Sequence, residues 1–348
     1  DVARGRIFRN NPVMTAPPHP VEHIIETSGR PCHTRARFLP PCKEKFAKSH
    51  FKELEDSGII RKSSSPWSSA LHMVPKKDGS WRPCGDFRAL NNQTVPDRYP
   101  LPTIKSCAHI LPGCSIFSTI DIEKAFHHIP VRACDIQKTA TITPFGLFEW
   151  IKMPFGLRNA AQTFQRFMDN LLRGCDFAFA YLDDILIASR SPEEHETHIR
   201  KILDILKNNK LSIKHEKCQW RKSAVKFLGH VISKEGCSPC LEKVTAIRDF
   251  PLPENQKQLR AFLGMVNFYN RFLPNAASIM APLYSLITTP KKGKSTKVIW
   301  NRPAEIAFTQ TKNLLAQATL LAHPALNAPI RLTTDASDFA VGAVLQQL

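Results

Sequence analysis

Two adjacent carboxylates interrupt an otherwise apolar stretch, FAFAYLDDILIAS, at residues 177–189. Apolar residues alternate on both sides of them, which predicts two half-buried strands with Leu182 and Asp183 at the turn between them. A chain with this pattern must hold Asp183 and Asp184 at a hairpin tip. Asp is also a common turn-forming residue, so the stretch alone leaves open whether the two acids only form the turn or bind a ligand.

A third acid, Asp121, lies in a similar setting upstream. It ends the predicted strand SIFSTID, and the helix-like turn EKAFHH follows. The order strand, helix, hairpin and helix is typical of a split βαβ sheet, in which a strand end and a neighbouring hairpin tip can meet. Three ionised carboxylates that lie close together repel one another, and a bound divalent cation offsets this repulsion. Oxygen-only ligands favour Mg²⁺ or Mn²⁺, so the acids suggest two-metal phosphoryl transfer.

The charge of the chain indicates the class of partner. Among 348 residues, 48 Lys and Arg oppose 30 Asp and Glu, which gives a net charge of +18. So large an excess favours a polyanionic partner, most simply nucleic acid. Residues 207–226 contain seven basic residues and one acid, and this run is either a solvated face or part of the binding surface.

The apolar stretches, cysteines and histidines of the chain indicate where the protein works and which protein classes it does not resemble. No stretch is long and apolar enough to span a membrane, and the chain opens on Asp1 without a signal peptide. Ten cysteines without scaffold spacing indicate reduced thiols in an intracellular compartment. The lack of an initiator Met suggests a segment of a longer precursor. His195 and His198 are three apart rather than four, unlike the metalloprotease pattern, and we expect them to be exposed at a helix start.

The remaining patterns predict the order of elements. An extended, Pro-rich arm is followed by a helix that ends at Gly58, and the Asp-Gly of KKDGS predicts a hairpin. Further helices are predicted at about 161–173, after a capping box at 191–194, and at 256–273 between Asn255 and Pro274. A basic stretch at 288–303 is typical of a tether, and a strand–turn–strand unit closes the chain.

Several ordered motifs carry a resemblance to a known family. They are, in chain order, SSPWSSALHMVPKKDGSWRPCGDFRALN, STIDIEKAFHHI, MPFGLRNAAQTFQRFM, YLDD, KFLGHVIS, QLRAFLGMVNFYNRF and LTTDASDFAVGAVLQQ. Through them the chain resembles the reverse transcriptase of gypsy-type LTR retrotransposons over nearly its whole length, as a fragment of a Pol polyprotein. YLDD alone is a weak signal, but the shared order and spacing make the resemblance specific.

The resemblance implies an α+β right-hand polymerase fold. Its parts would be fingers, a palm with a split βαβ ferredoxin-like sheet, a helical thumb, and the truncated start of a ribonuclease H domain. The implied boundaries are an arm at 1–50, fingers at 51–98 and 135–155, palm at 99–134 and 156–235, thumb at 236–287, a tether at 288–330 and the ribonuclease H start at 331–348.

The resemblance also implies the chemistry of the three acids. Asp121, Asp183 and Asp184 would be catalytic and, with the Ile122 carbonyl, would hold two Mg²⁺ ions, with Mn²⁺ as the alternative metal. One metal would activate the primer 3′-hydroxyl, and the other would hold the triphosphate and the leaving pyrophosphate.

Substrate contacts follow from the same motifs. Cationic, aromatic and glycine positions would bind the dNTP: Lys76, Arg82, Phe126, Phe155 and Gly156. A second set would bind primer and template: Leu228, Gly229, Gly264 and Phe268. Phe126 stands at the steric-gate position, so it predicts use of dNTPs rather than NTPs; the other interpretation is a simple core residue. The implied partners are an RNA template, a DNA primer, their RNA·DNA hybrid and dNTPs, without a membrane.

Some residues depart from the family pattern. Ala161 stands where Pro is common, and Leu182 where Met or Val is more familiar; neither is expected to abolish activity. The last unit carries one ribonuclease H acid, Asp335, of about four that such a site needs, so we expect no ribonuclease H activity.

Two other functions and the oligomeric state stay open. The chain could be an inactive nucleic-acid-binding fragment or an RNA-dependent RNA polymerase, which Phe126 disfavours. It could act as a monomer or a homodimer. The expected location is a reducing intracellular compartment, either a cytoplasmic virus-like particle or the nucleus.

Overall fold

A computed structural model describes residues 21–76, 79–288, 297–316, 320–323, 328–336 and 341–347. Within them the helices are α1 (Pro41–Asp56), α2 (Arg88–Gln93), α3 (Ala160–Leu171), α4 (Pro192–Asn208), α5 (Leu241–Arg248), α6 (Gln256–Phe268), α7 (Ala276–Ser285) and α8 (Arg302–Ala316). The strands are β1 (Ile60–Lys62), β2 (Ser69–Pro75), β3 (Trp81–Gly85), β4 (Ile116–Asp121), β5 (Thr141–Thr143), β6 (Gly146–Trp150), β7 (Ala178–Tyr181), β8 (Asp184–Ser189), β9 (Gln219–Lys222), β10 (Ala224–Phe227), β11 (His230–Ser233), β12 (Cys237–Pro239), β13 (Ile330–Ala336) and β14 (Val341–Gln347).

The chain divides into two compact units. The first comprises Asp1–Thr103, Ile120–Leu186 and Thr197–Cys218, and the second comprises Ile104–Thr119, Ile187–Glu196 and Gln219–Leu348. The described strands form four sheets, with the orders β1-β6-β5-β2-β3, β7-β8-β4-β9, β10-β11-β12 and β13-β14.

The five-stranded sheet of the first unit contains the hairpin predicted at KKDGS. β2 and β3 pair antiparallel, with Leu71 opposite Gly85 and Pro75 opposite Trp81. β2 also pairs with β5 in parallel. Lys77 and Asp78, at the tip of the hairpin, lie outside the described residues.

Helix α1 packs onto this sheet through one apolar stripe. Ala47, Phe51 and Leu54 recur at helical spacing and are buried. The Phe51 ring meets the Phe148 ring edge-on, with centroids 5.1 Å apart. The helix stops as predicted before Gly58, whose φ of 65° suits a residue without a Cβ.

The four-stranded sheet confirms the predicted hairpin but corrects its burial. β7 and β8 are neighbours, and β8 lies between β7 and β4. From Ile185 to Ser189 every residue of β8 is buried, so this strand is covered on both faces rather than half-buried. The alternation seen in the sequence therefore understates the packing around the two acids, because Ala188 and Ser189 are small enough to be buried on either face.

Helix α4 confirms its predicted start and corrects the expectation for His195. The Glu194 N–H donates to the Ser191 hydroxyl at 3.2 Å, as a capping serine requires. His195 is only 1% exposed, and its ring nitrogens lie 2.7 Å from the Ser118 hydroxyl and 2.8 Å from the Ser189 hydroxyl. The expectation of exposure was wrong because both nitrogens find hydroxyl partners, which removes the penalty for burying a polar ring.

The second unit contains a helical core. Buried apolar residues of α5, α6, α7 and α8 form one cluster, in which the Phe262 and Phe308 rings lie 4.6 Å apart. Asn255 caps α6 as predicted, because its side chain accepts a hydrogen bond from the Gln258 N–H at 3.0 Å. Residues 302–316 of the predicted tether therefore form a packed helix, while residues 289–296 lie outside the described residues.

Helix α6 is shorter than predicted. It ends at Phe268, and a 3₁₀ turn at Asn270–Phe272 follows before Pro274. Tyr269 and Phe272 are buried, and the Tyr269 hydroxyl donates to the Gly229 carbonyl at 2.8 Å. These inward-facing aromatic residues replace the last turns of the predicted helix.

The two strands predicted at the end of the chain are present, and residues 337–340 between them lie outside the described residues. β13 and β14 pair antiparallel, and Asp335 lies opposite Gly342. The side chains of β13 are exposed. Over the described part of the chain, no helix is both long and apolar enough to cross a membrane.

Candidate active site

The backbone brings Asp121 and Asp183 side by side. Asp121 is the last residue of β4, and the next N–H, that of Ile122, donates to the Asp183 carbonyl at 2.9 Å. On the other side, the Lys214 N–H donates to the Asp121 carbonyl at 2.8 Å. The end of β4 is therefore held between the hairpin tip and the segment that precedes β9.

The tip and the strand residue before it, residues 180–184, are called the acidic turn below. Leu182 adopts the left-handed region with φ 51°, which is uncommon for a residue with a branched side chain. Asp183 is exposed, and Asp184 is half-buried at the first position of β8. The conformation of Leu182 must be supported by its surroundings, since it is intrinsically unfavourable.

Gln165 of α3 supplies that support. Its side-chain oxygen accepts from the Leu182 N–H at 2.8 Å, and its side-chain nitrogen donates to the Ala180 carbonyl at 3.0 Å. The same nitrogen donates to Asp169 at 2.8 Å. Gln165 has no exposed surface, so it is a buried polar side chain whose partners are the backbone of the acidic turn and the Asp169 carboxylate. The signal in the sequence was a lone amide among the apolar residues of the buried face of α3.

The electrostatics of the turn show repulsion between its carboxylates. Burial, then the neighbouring charges of Asp183 and Asp121, raise the pKa of Asp184 to about 6. The pKa of Asp183 is also raised, first by partial loss of hydration and then by the charge of Asp121. A bound divalent cation would favour the ionised forms of Asp183 and Asp184, which this arrangement disfavours.

A lysine already compensates part of that charge. The Lys217 ammonium lies 2.8 Å from the Asp121 Oδ2 atom. This hydrogen bond, with the charges of the three acids, raises the pKa of Lys217. The sequence placed Lys217 in a basic run but gave no sign of its partner.

The donor set fits Mg²⁺ or Mn²⁺ in its chemistry. Its side-chain donors are all carboxylate oxygens, the ligands that these hard cations prefer. Across the described ranges, no three His, Cys, Asp or Glu side chains already converge as a formed metal cage. The acids are adjacent and electrostatically coupled, and a cation would have to draw their side chains together.

The five predicted dNTP contacts all lie in the first unit. Lys76 and Arg82 are exposed on the β2–β3 hairpin, and the Lys76 N–H donates to the Ser80 carbonyl at 2.8 Å. The Arg82 guanidinium lies 5.6 Å from the Phe155 ring centre. The Phe155 ring is in turn 5.0 Å from that of Phe126.

Phe126 and Gly156 complete this group. Phe126 is half-buried. Its ring lies 5.6 Å from that of Phe164 on α3 as well as beside Phe155, and part of its surface stays exposed. Gly156 adopts φ 93°, a region open mainly to glycine, and its carbonyl accepts from the Asn91 amide at 2.8 Å. The structure therefore brings together Arg82, Phe155 and Phe126.

The four predicted primer and template contacts lie in the second unit. Leu228 and Gly229 form the turn between β10 and β11, with φ values of 46° and 78°. A Cβ on Gly229 would lie 3.5 Å from the Phe268 ring, so these two positions are neighbours. Phe268 is 55% exposed. Gly264 lies on an open face of α6, where a Cβ would meet no described atom within 4 Å.

The fold and these motifs define the reverse transcriptase class. Residues 74–232 match the family model described as reverse transcriptase (RNA-dependent DNA polymerase), and residues 300–348 match the RNase H-like domain found in reverse transcriptase. The second match begins inside the predicted tether and includes α8.

The fold is similar to that of a foamy viral protease-reverse transcriptase in complex with dsDNA. The TM-score is 0.83 at 24% identity, and the match covers 96% of this chain and 69% of that chain. Another structure, in complex with an RNA/DNA hybrid, matches with a TM-score of 0.81 at 24% identity, covering 92% of this chain and 43% of that one.

Curated relatives narrow the class. The Retrovirus-related Pol polyprotein from transposon 297 of Drosophila melanogaster is 38% identical over 336 residues, which are 94% of this chain and 31% of the relative. The Transposon Tf2-3 polyprotein of Schizosaccharomyces pombe is 37% identical over 311 residues, 89% of this chain and 23% of the relative. The chain thus spans less than a third of these relatives. It belongs to the reverse transcriptases of gypsy-like LTR retrotransposon Pol polyproteins, as its motifs predicted.

Proposed function

We propose that this chain is a DNA polymerase that copies RNA and DNA templates by extending a primer with dNTPs. The observation that carries the proposal is the hydrogen bond from the Ile122 N–H to the Asp183 carbonyl, because it joins the acid-bearing ends of two distant segments. Asp184, the next residue, adds the third carboxylate. A reverse transcriptase domain over residues 74–232 supports the same activity.

The acids would hold two Mg²⁺ or Mn²⁺ ions, with the Ile122 carbonyl as a further donor. Bound there, the ions would activate the primer 3′-hydroxyl and neutralise charge on the triphosphate and on the leaving pyrophosphate. The protein's own part is to fix the geometry. Gln165 holds the acidic turn, and β8, buried from Ile185 to Ser189, keeps Asp184 in place.

The cationic and aromatic residues of the first unit would select the nucleotide. Lys76 and Arg82 would contact the triphosphate as charge-assisted donors. The half-buried Phe126 ring would exclude a ribose 2′-hydroxyl. Phe155 and Gly156 would line the same site, since Phe155 contacts both Phe126 and Arg82.

The second unit would bind the duplex. The turn at Leu228 and Gly229 would place the primer end, and Gly264 and Phe268 would face the minor groove. Two foamy viral relatives by fold are complexes with dsDNA and with an RNA/DNA hybrid, which supports RNA template, DNA primer and hybrid as partners. An A-like hybrid would be bound without sequence preference. We further propose an intracellular location, in a virus-like particle or the nucleus, and a monomer or homodimer as the active form.

The test is primer extension on an RNA template with Mg²⁺ and dNTPs. Wild-type protein should extend the primer, and Asp183→Asn should not, although it should bind primer–template with unchanged affinity in a gel-shift assay. Asp204→Asn, at an exposed position on α4, is the matched control and should remain active. A folded wild type that binds duplex without extending it would instead be an inactive binding fragment, and preferential use of NTPs would indicate an RNA polymerase.

A further inference from the structure

The segment that carries Lys217 is fixed beside Asp121 by its backbone. The Lys214 N–H donates to the Asp121 carbonyl at 2.8 Å, and the Glu123 N–H donates to the Ser212 carbonyl at 2.7 Å. Ile122 and Ile213 form an antiparallel bridge between these two bonds. Lys217 ends the 3₁₀ turn that follows, His215–Lys217. Its position near the acids therefore does not depend on its own side chain.

The side chain, by contrast, is able to move. The Lys217 side chain is 58% exposed, whereas that of Asp121 is 15% exposed. The Lys217 ammonium contacts the Asp121 Oδ2 atom at 2.8 Å, and water can replace this contact at little cost because exposed ion pairs are weak. The ammonium can leave while the backbone pairing stays intact.

The Lys217 ammonium balances part of the negative charge of the three acids. All three acids attract the Lys217 ammonium. Within the described residues, it is the one basic side chain in ion-pair contact with any of them. A single positive charge relieves only part of the repulsion among three carboxylates, so the site keeps a strong preference for a doubly charged ion.

We propose that Lys217 is the resident counter-ion of the three acids, and that its ammonium competes with a divalent cation for Asp121. In the metal-free protein it stabilises the ionised acids and keeps Asp121 oriented. Metal binding exchanges the ammonium for the cation at the Asp121 Oδ2 atom, so Lys217 lowers and thereby sets the metal affinity of the free enzyme. This inference rests on the metal assignment made above.

The test is a Mn²⁺ titration of the full chain without nucleic acid, in which the free ion is measured by electron paramagnetic resonance. Lys217→Met removes the charge and keeps the length of the side chain, and it should bind Mn²⁺ about three- to tenfold more tightly. Lys217→Arg keeps a cation beside Asp121 and should bind no more tightly than wild type. Lys214→Met is the matched control, since Lys214 is exposed and contacts Asp121 only through its backbone. It should change the affinity by less than about twofold.

A thermal melt gives a second readout. In EDTA, Lys217→Met should melt at a lower temperature than Lys214→Met, because the acids lose their counter-ion. Added Mg²⁺ should raise the melting temperature of Lys217→Met more than that of wild type. A lysine that contributed only to surface charge would give the two methionine variants the same response.

The outcomes separate this inference from the proposed function. Wild-type affinity in Lys217→Met, or an equal gain in Lys214→Met, would overturn the counter-ion assignment while leaving the metal site intact. If wild type and Asp183→Asn bound Mn²⁺ equally, the metal assignment itself would be wrong, and the counter-ion with it. Tighter binding confined to Lys217→Met supports both.

Discussion

Gln165→Leu tests whether a buried amide positions the catalytic acids. The substitution keeps most of the side-chain volume in an apolar setting but leaves two backbone groups of the acidic turn without their partner, the Leu182 N–H and the Ala180 carbonyl. An unsatisfied buried group costs about 1–3 kcal/mol. Leu182 is half-buried, so water can partly replace its lost hydrogen bond. The cost for the two backbone groups together is therefore about 2–3 kcal/mol, near the lower end of the range for two groups.

This cost falls on the turn rather than on the core, because leucine suits the buried face of α3. If the energy appears as misplacement of Asp183 and Asp184, kcat should fall about 30- to 150-fold. The melting temperature should fall by at most about 10 °C, since 1 kcal/mol corresponds to a few degrees in a domain of this size. Gln165→Glu should be intermediate, because it still accepts from the Leu182 N–H but places a carboxylate against Asp169.

The assay is incorporation of one dNTP on a primed RNA template at saturating dNTP and Mg²⁺, well below the melting temperature. Gln162→Leu is the control, since Gln162 lies on the same helix and its side-chain oxygen accepts no hydrogen bond from the residues that the structure describes. It should retain wild-type kcat. If Gln165→Leu were folded and as fast as Gln162→Leu, Gln165 would be a packing residue and not a positioning residue.

Three further predictions concern the gate, the helical unit and pH. Phe126→Ala should lower the preference for dNTP over NTP by at least about tenfold, measured as a ratio of kcat/KM values; an unchanged ratio would make Phe126 a core residue. Gly264→Ala should stabilise α6 by about 1 kcal/mol, because the added Cβ meets open space. The same substitution should weaken primer–template binding severalfold, measured by filter binding. Unchanged affinity would contradict a close approach of the duplex to Gly264. Burial lowers the pKa of His23 to about 4, so the unfolded chain takes up a proton first and stability is lost as the pH falls from about 6.5 towards 4. At pH 5 the free energy of unfolding should be about 1–2 kcal/mol lower than at pH 7. Urea unfolding of His23→Gln should show a smaller decrease between the two pH values. An equal decrease in both proteins would refute the role of His23.

The positions of the three acids were predictable because their signals are local. A strand pattern ends at Asp121, and another turns at Leu182 and Asp183, so the alternation of apolar residues locates each acid at a strand end. The capping serine at the start of α4 and the hairpin at KKDGS were read from the same short-range rules. Phe126, Phe155 and Arg82 came from a motif resemblance, and the structure brings the three together.

The supporting residues were not predictable, because their partners are distant in sequence. Gln165 bonds to a turn 17 residues away, and Lys217 pairs with an acid 96 residues away. His195 was expected at the surface because nothing in its own helix shows that Ser118 will face it. The end of α6 was mispredicted for the same reason. The helix stops at Phe268 because Tyr269 and Phe272 are buried against residues outside the helix. Local sequence patterns report local structure, whereas these contacts form only in the folded chain.

We propose above all that Asp121, Asp183 and Asp184 act together as the metal-dependent site of DNA synthesis. Single-turnover incorporation of one dNTP by enzyme already bound to a primed RNA template tests it most directly, with wild type beside Asp121→Asn. Loss of one metal-binding carboxylate should remove several kcal/mol of stabilisation and slow the step by about 1,000-fold or more, with unchanged affinity for the primed template. A rate within about tenfold of wild type would contradict the account, because Asp121 would then not belong to the site.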